Sequence, residues 1–140
     1  MYIFMVLIAS FMALAQHSEQ PQQESNSDLR SAMVLFSVED ISNEKTIILE
    51  RTPHLDHFLR LKEEKDKEVI RKIDSRDAKK MEMDFASRFL KTQYELDTLP
   101  GNCKVVYKLV LKGESQDICK KDDKKGQEIA PFMQALNKRF

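Results

Sequence analysis

The chain of 140 residues has no tryptophan, three glycines and two cysteines. So few glycines exclude the glycine-rich loops that cradle phosphate groups, and no Gly-x-Ser-x-Gly nucleophile elbow occurs. The 23 basic and 23 acidic residues cancel to a formal net charge of zero. Without a positive excess, nothing predicts binding to nucleic acid or to an anionic membrane. These absences argue against catalysis, and we expect no cofactor.

The amino-terminal segment Met1–Ala15 is apolar and is followed at once by polar Gln16. Its length suits the hydrophobic region of a signal peptide, and Ala13 and Ala15 are the small residues that signal peptidase prefers. The run falls short of the roughly 20 apolar residues that a membrane-spanning helix needs. We therefore expect residues 1–15 to be a signal peptide and the mature chain to be secreted, extracellular and without a membrane span.

The two cysteines of the mature chain are Cys103 and Cys119. The secretory route is oxidising, and an even number of cysteines can be satisfied within one chain. We expect a disulfide between them, and the chain-entropy account gives a loop of this length about 3 kcal/mol of stabilisation.

The mature chain divides into a leader and one small domain. Gln16–Asp28 has no large apolar residue, so it cannot bury enough surface to offset the entropy of ordering, and we expect it to be disordered. Residues 29–140 are too few for more than one domain.

Helical patterns dominate the expected domain. Thr52-Pro53 resembles an N-cap followed by proline at the first helical position, which predicts one long helix or two short ones through Ile73. A second helix, capped by Ser75 or Asp77, should end before Pro100-Gly101. Its expected buried stripe is Ala78, Met81, Phe85, Phe89, Gln93 and Leu96, widened by Ala86 and Leu90.

A third, carboxy-terminal helix is predicted from Ile129, Phe132, Met133, Leu136 and Phe140, with Pro131 in its first turn. Lys120–Lys125 before it reads as a solvated link.

Extended structure has weaker signals. Cys103–Lys112 alternates as a strand does, with a short helix as the alternative, and residues 113–117 would form the turn after the strand. Ala32–Glu39 and Lys45–Glu50 are apolar runs too short to be assigned by periodicity, so helix and strand both stay open. The predicted fold class is mainly α, with two to three helices, at most a short β segment, and one disulfide.

No side-chain constellation predicts chemistry. His54 and His57 flank Asp56 at a spacing that could place two imidazoles on one helix face, yet no other segment supplies a third metal ligand. We interpret them as surface histidines and expect no metal site. Glu63, Glu64 and Asp66 alternate with lysines, as on a solvated helix face rather than in a catalytic cleft.

The second helix also carries a basic face. Lys79, Lys80, Arg88 and Lys91 lie away from its main apolar stripe, and packing offers no evident reason for them. They are the candidate receptor-binding residues.

The segment Ser75–Cys119 resembles a known family. DAKKME at 77–82, LPGNC at 99–103 and VVY at 105–107 are similar to the rodent exocrine-gland-secreting peptides. This resemblance implies a compact, mainly helical fold with one intramolecular disulfide. It also implies a monomeric secreted pheromone, a non-catalytic ligand of a vomeronasal type-2 receptor.

An alternative function comes from a different class of protein. A helix packed on a sheet, with a disulfide near the carboxy terminus, is also the outline of a cystatin-like cysteine-protease inhibitor. However, the Gln-x-Val-x-Gly hairpin of those inhibitors is missing, and without tryptophan their Pro-Trp loop cannot exist.

Overall fold

A computed structural model describes residues 29–64, 66–94 and 102–140. They form six strands and two helices. In chain order these are β1 (Met33–Asp40), β2 (Lys45–Arg51), β3 (His57–Glu63), β4 (Lys67–Ile73), α1 (Ser75–Thr92), β5 (Val105–Leu111), β6 (Glu114–Cys119) and α2 (Asp123–Asn137). The strands contain more residues than the helices, so the prediction of a mainly α fold is wrong. The expected signal peptide and disordered leader lie outside the described residues.

All six strands form one antiparallel sheet in the order β4-β3-β2-β1-β5-β6. The first four strands follow one another as a meander, and β5 and β6 form a hairpin that joins it along β1. Val38 of β1 lies opposite Ile47 on one side and Leu109 on the other. The strand β1 therefore occupies the centre of the sheet, and both segments left open between helix and strand are strands.

One face of the sheet is covered by the helices and carries the core. Side chains of alternate strand residues point to this face, because successive residues of a strand point to opposite sides. The fully buried members from the sheet are Phe36, Val38, Ile47, Leu49, Leu59, Leu109 and Ile118.

Aromatic rings join the two helices to the central strand. The ring centroids of Phe36 and Phe85 lie 4.6 Å apart in a stacked arrangement. Phe132 of α2 approaches both, at 5.7 Å from Phe36 and 5.5 Å from Phe85. The three rings come from β1, α1 and α2, so this cluster holds both layers of the fold together.

The prediction of a helix that starts at Thr52-Pro53 is wrong. Thr52 instead forms hydrogen bonds across the loop between β2 and β3. Its hydroxyl accepts a hydrogen bond from the backbone N–H of Asp56 at 3.2 Å, and its own N–H donates to the carbonyl of Asp56 at 2.9 Å. The hydroxyl thus satisfies a backbone donor, as an N-cap would, but in a connection between two strands.

The charged stretch after this loop is the tip of the β3–β4 hairpin. Glu63 lies opposite Lys67 across the two strands. A helix would also bring these residues together, since side chains four apart share a face. The charge spacing therefore does not distinguish the two structures, whereas the alternation of Leu59 and Leu61 with Arg60 favours a strand.

The helix α1 confirms the predicted face in part, because Gln93, predicted to be on the buried stripe, is the exposed C-cap. Ala78, Met81, Phe85 and Phe89 are buried. The N-cap is neither Ser75 nor Asp77 but Asp74, whose carboxylate accepts hydrogen bonds from the N–H groups of Arg76 and Asp77, both at 2.9 Å. The helix ends at Thr92, earlier than predicted, and both Leu96 and Pro100-Gly101 lie outside the described residues.

The carboxy-terminal half follows the predicted order with different boundaries. The strand expected at Cys103–Lys112 is confirmed as β5, but the turn is only Lys112-Gly113, with φ of 48° and 88°. Two positive φ values are what a type I′ hairpin turn requires. The last helix is confirmed with Ile129, Phe132, Met133 and Leu136 buried, although it starts at Asp123, so Pro131 lies in its interior.

The predicted disulfide is confirmed. Cys103 and Cys119 are bonded with their Cα atoms 5.2 Å apart. Cys119 ends β6, and Cys103 lies just before β5, so the bridge closes the open end of the hairpin opposite its turn.

In the described ranges, no helix has the length and apolar character that crossing a membrane would require.

We predict that Phe85→Ala destabilises the protein by about 3–5 kcal/mol, because it removes the ring that packs on both Phe36 and Phe132. Met83→Ala is the matched control: the same helix loses a side chain that is 65% exposed. Chemical unfolding monitored by circular dichroism measures both. Small and equal losses of stability in the two variants would contradict the packing of Phe85 between Phe36 and Phe132.

Candidate functional site

Two of the predicted receptor-binding residues, Arg88 and Lys91, face α2 rather than solvent alone. Arg88 Nη1 donates a hydrogen bond to the carbonyl oxygen of Glu128 at 2.6 Å, and its guanidinium lies 5.6 Å from the ring centroid of Phe132. Lys91 Nζ lies 3.8 Å from the Glu128 carboxylate. Contrary to the sequence analysis, packing between the helices accounts for Arg88, whereas Lys91 is 61% exposed and makes only a long surface ion pair.

The other two predicted residues, Lys79 and Lys80, are exposed. Neither makes an ion pair or a side-chain hydrogen bond within the part of the chain that the structure describes. The predicted basic face therefore separates into a pair that joins the helices and a pair that is free to meet a partner.

Large apolar side chains accompany the free pair. Met83 is 65% exposed and Leu90 is 64% exposed, each lying close to the line of Lys79 along α1 at helical spacing. We call Lys79, Lys80, Met83 and Leu90 the α1 outer stripe. The sequence analysis placed Leu90 on the buried side, but at 3.6 residues per turn both Met83 and Leu90 lie on the side of α1 opposite Phe85, so helical periodicity could have identified them.

A groove with a basic lining opens beside the stripe. It has a volume of about 500 Å³ and lies where β2, β3, the start of α1 and the β5–β6 turn meet. We call it the basic groove. It is lined by Arg51, His57, Ser75, Lys79, Glu82, Met83, Ala86 and Lys112.

The strand register brings two of these residues together. Arg51 ends β2 and lies directly opposite His57, which begins β3. Lys112 Nζ lies 2.8 Å from Glu82 Oε1, so the groove's one carboxylate is engaged. His57 Nδ1 is buried and has no hydrogen-bond partner among the described residues.

The two histidines considered as metal ligands do not share a helix face. His54 is exposed in the loop before β3, and His57 is in the strand. Across residues 29–64, 66–94 and 102–140, no group of three histidine, cysteine or carboxylate side chains is close enough to hold a metal ion.

The carboxylates expected on a solvated helix lie instead near the β3–β4 turn. Glu63 accepts from Lys45 Nζ at 2.8 Å, and this hydrogen bond lowers the pKa of Glu63. Glu64 and Asp66 are exposed in the turn itself. These residues still have the solvated character that the sequence indicates.

A partly buried ion triad lies on the sheet face opposite the helices. Arg60 Nη2 lies 2.7 Å from Glu50, and Arg60 Nη1 lies 3.1 Å from Glu68. Burial raises the pKa of Glu50, and the charge of Arg60 opposes that shift. The three charges are paired with one another, although Arg60 Nε is buried without a hydrogen-bond partner among the described residues. We interpret the triad as a structural feature of the sheet.

Comparison of the chain with protein-family models, with curated proteins and with solved structures finds no match in any of the three.

We predict that Arg60→Gln destabilises the protein by about 3 kcal/mol at pH 7, because it leaves the Glu50 carboxylate buried without its partner. Without Arg60, the pKa of Glu50 rises further above the usual 4.5. The folded variant then holds a proton that the unfolded chain has released, so the loss grows as pH rises above that value.

Below pH 4.5 the carboxyl is protonated in both states, and the difference between Arg60→Gln and wild type should shrink. Lys62→Gln is the control, since Lys62 is on the same strand but half-exposed and 4.0 Å from Glu68. Urea unfolding at pH 4 and pH 7 measures both variants. An Arg60→Gln loss that is the same at the two pH values would argue against a buried Glu50 charge.

Proposed function

We propose that this protein is a secreted, non-catalytic ligand that binds a protein receptor through the α1 outer stripe. The observation that carries the proposal is the pairing of two large apolar side chains, Met83 and Leu90, with the unpaired cations Lys79 and Lys80 on one exposed helix surface. Apolar surface at the centre with charge beside it is the composition of protein-binding patches.

The energetics of the stripe favour a protein partner. Fully burying a side chain such as Leu90 or Met83 contributes about 1.5–3 kcal/mol. This free energy of burial is released only when another surface covers the two side chains, since about two thirds of each is exposed in the folded chain. They therefore provide affinity that folding does not use.

The unpaired lysines specify the charge of that partner. A receptor surface with carboxylates opposite Lys79 and Lys80 would associate faster and reject basic competitors. Such binding weakens as salt screens the charges. The partner we propose is therefore an acidic receptor surface with an apolar centre.

The receptor class in this proposal is vomeronasal type-2. It is supported by the sequence resemblance of Ser75–Cys119 to the exocrine-gland-secreting peptides, and by the disulfide that this family would have. The six-stranded sheet is not the mainly helical fold that the resemblance implies. The support for this receptor class is therefore the sequence segment and not the fold.

The test is calcium imaging of dissociated vomeronasal neurons exposed to the oxidised mature protein. We expect a response to wild type, and a half-maximal concentration raised at least about tenfold by Lys79→Glu with Lys80→Glu, a loss of about 1.4 kcal/mol or more. Met83→Ser with Leu90→Ser should produce a similar loss, because it removes the apolar centre.

Lys120→Glu with Lys121→Glu is the matched control. It reverses the same two charges at another pair of exposed lysines, in the turn between β6 and α2, and it should leave the response within about twofold of wild type. The proposal would be overturned if folded wild type evoked no calcium response, or if the control variant lost potency as much as the Lys79→Glu with Lys80→Glu variant. Submicromolar inhibition of a papain-like protease would support the inhibitor alternative instead.

A further inference from the structure

We propose that the basic groove is a binding site for a small amphipathic organic anion, with a carboxylate or sulfonate head and an apolar body. The site does not depend on the receptor proposal, because its recognition elements are Arg51, His57 and Lys79, together with an apolar wall on α1. Lys79 and Met83 belong to both surfaces.

Charge is the first observation. Arg51, Lys79 and Lys112 all line the groove, against the single carboxylate of Glu82. That carboxylate is held by Lys112 at 2.8 Å. Arg51 and Lys79 make no ion pair with any residue of the described chain, so the groove keeps a positive field. Cations collected in a concave surface raise the local concentration of anions.

The unpartnered imidazole is the second observation. His57 lines the groove, and its Nδ1 is buried without a hydrogen-bond partner from the described residues. Buried polar groups in folded proteins are almost always hydrogen-bonded, because an unmade bond is costly. His57 lies directly across the strand pair from Arg51, whose planar guanidinium can donate to a carboxylate or sulfonate head group; the buried Nδ1 can join that contact only when the imidazole turns towards the groove.

The apolar wall determines the class of anion. Met83 and Ala86 of α1 line the groove beside the cations. An inorganic phosphate or sulfate would gain nothing from these side chains, whereas an alkyl chain or an aromatic ring would cover them. The volume of about 500 Å³ is within the range of small-molecule sites, about 300–1,000 Å³.

The residues of the site come from four separate elements. Arg51 and His57 flank the loop between β2 and β3, Lys79 and Met83 are on α1, and Lys112 is in the β5–β6 turn. The ion pair with Glu82 accounts for Lys112, but nothing in the local packing requires the charges of Arg51 and Lys79 beside it. A shared anionic ligand explains that convergence.

The test uses the purified, oxidised protein and the fluorescent probe 1-anilinonaphthalene-8-sulfonate. We expect saturable binding that decanoate displaces, while acetate and inorganic phosphate at the same concentration do not. Arg51→Gln should weaken probe binding about tenfold, the loss of one charge-assisted contact. Arg76→Gln is the matched control: it removes the same charge from an exposed residue in the first turn of α1, outside the groove lining, and should change binding less than twofold.

Lys79→Gln keeps the test decisive if Arg51→Gln does not fold, because Lys79 is exposed and has no described partner. This variant should weaken binding of the probe about threefold. Absence of saturable binding overturns the proposal, and so does binding that both groove variants leave unchanged. Displacement by phosphate as effective as that by decanoate would also overturn it, since the site would then hold an inorganic anion.

Discussion

The stacking of Phe85 on Phe36, with ring centroids 4.6 Å apart, fixes α1 on the sheet. Phe36 is on the central strand and Phe132 closes the cluster from α2, so a single contact region determines where both helices lie. Everything proposed about function follows from that placement. Once Phe85 faces the sheet, helical geometry leaves Met83 and Leu90 in solvent and positions Lys79 beside the groove.

The sequence predicts those parts of the fold that show a regular pattern within one continuous segment of the chain. The buried face of α1 repeats over about four turns, from Ala78 to Thr92, so Met81, Phe85 and Phe89 identify it without knowledge of the sheet. The alternation in β5 and the apolar spacing of α2 are similarly local. The disulfide was predicted from the even cysteine count together with the expectation of secretion. These signals are the ones that remain valid whatever surrounds them.

The pairing of β1 with β5 could not be predicted in the same way, because it joins segments that are distant in the sequence. Phe36 lies opposite Leu111, and no periodicity within either segment indicates that contact. The site was hidden for the same reason: Arg51, His57 and Lys112 belong to separate elements, and only the strand register and the β5–β6 turn bring them together. Sequence identified Lys79 and Lys80 as candidates, but it could not show that Arg88 would be engaged by Glu128.

The central claim is that the chain forms a six-stranded sheet and not the mainly helical domain that local patterns predict. Both helices pack on this sheet through contacts with Phe36. Nuclear Overhauser contacts in the labelled protein test it most directly. The account predicts contacts between the ring protons of Phe36 and those of Phe85 and Phe132, together with cross-strand contacts pairing Val38 with Leu109 and Leu59 with Arg71. Sequential amide contacts of helical type through residues 57–73, without those cross-strand contacts, would contradict it.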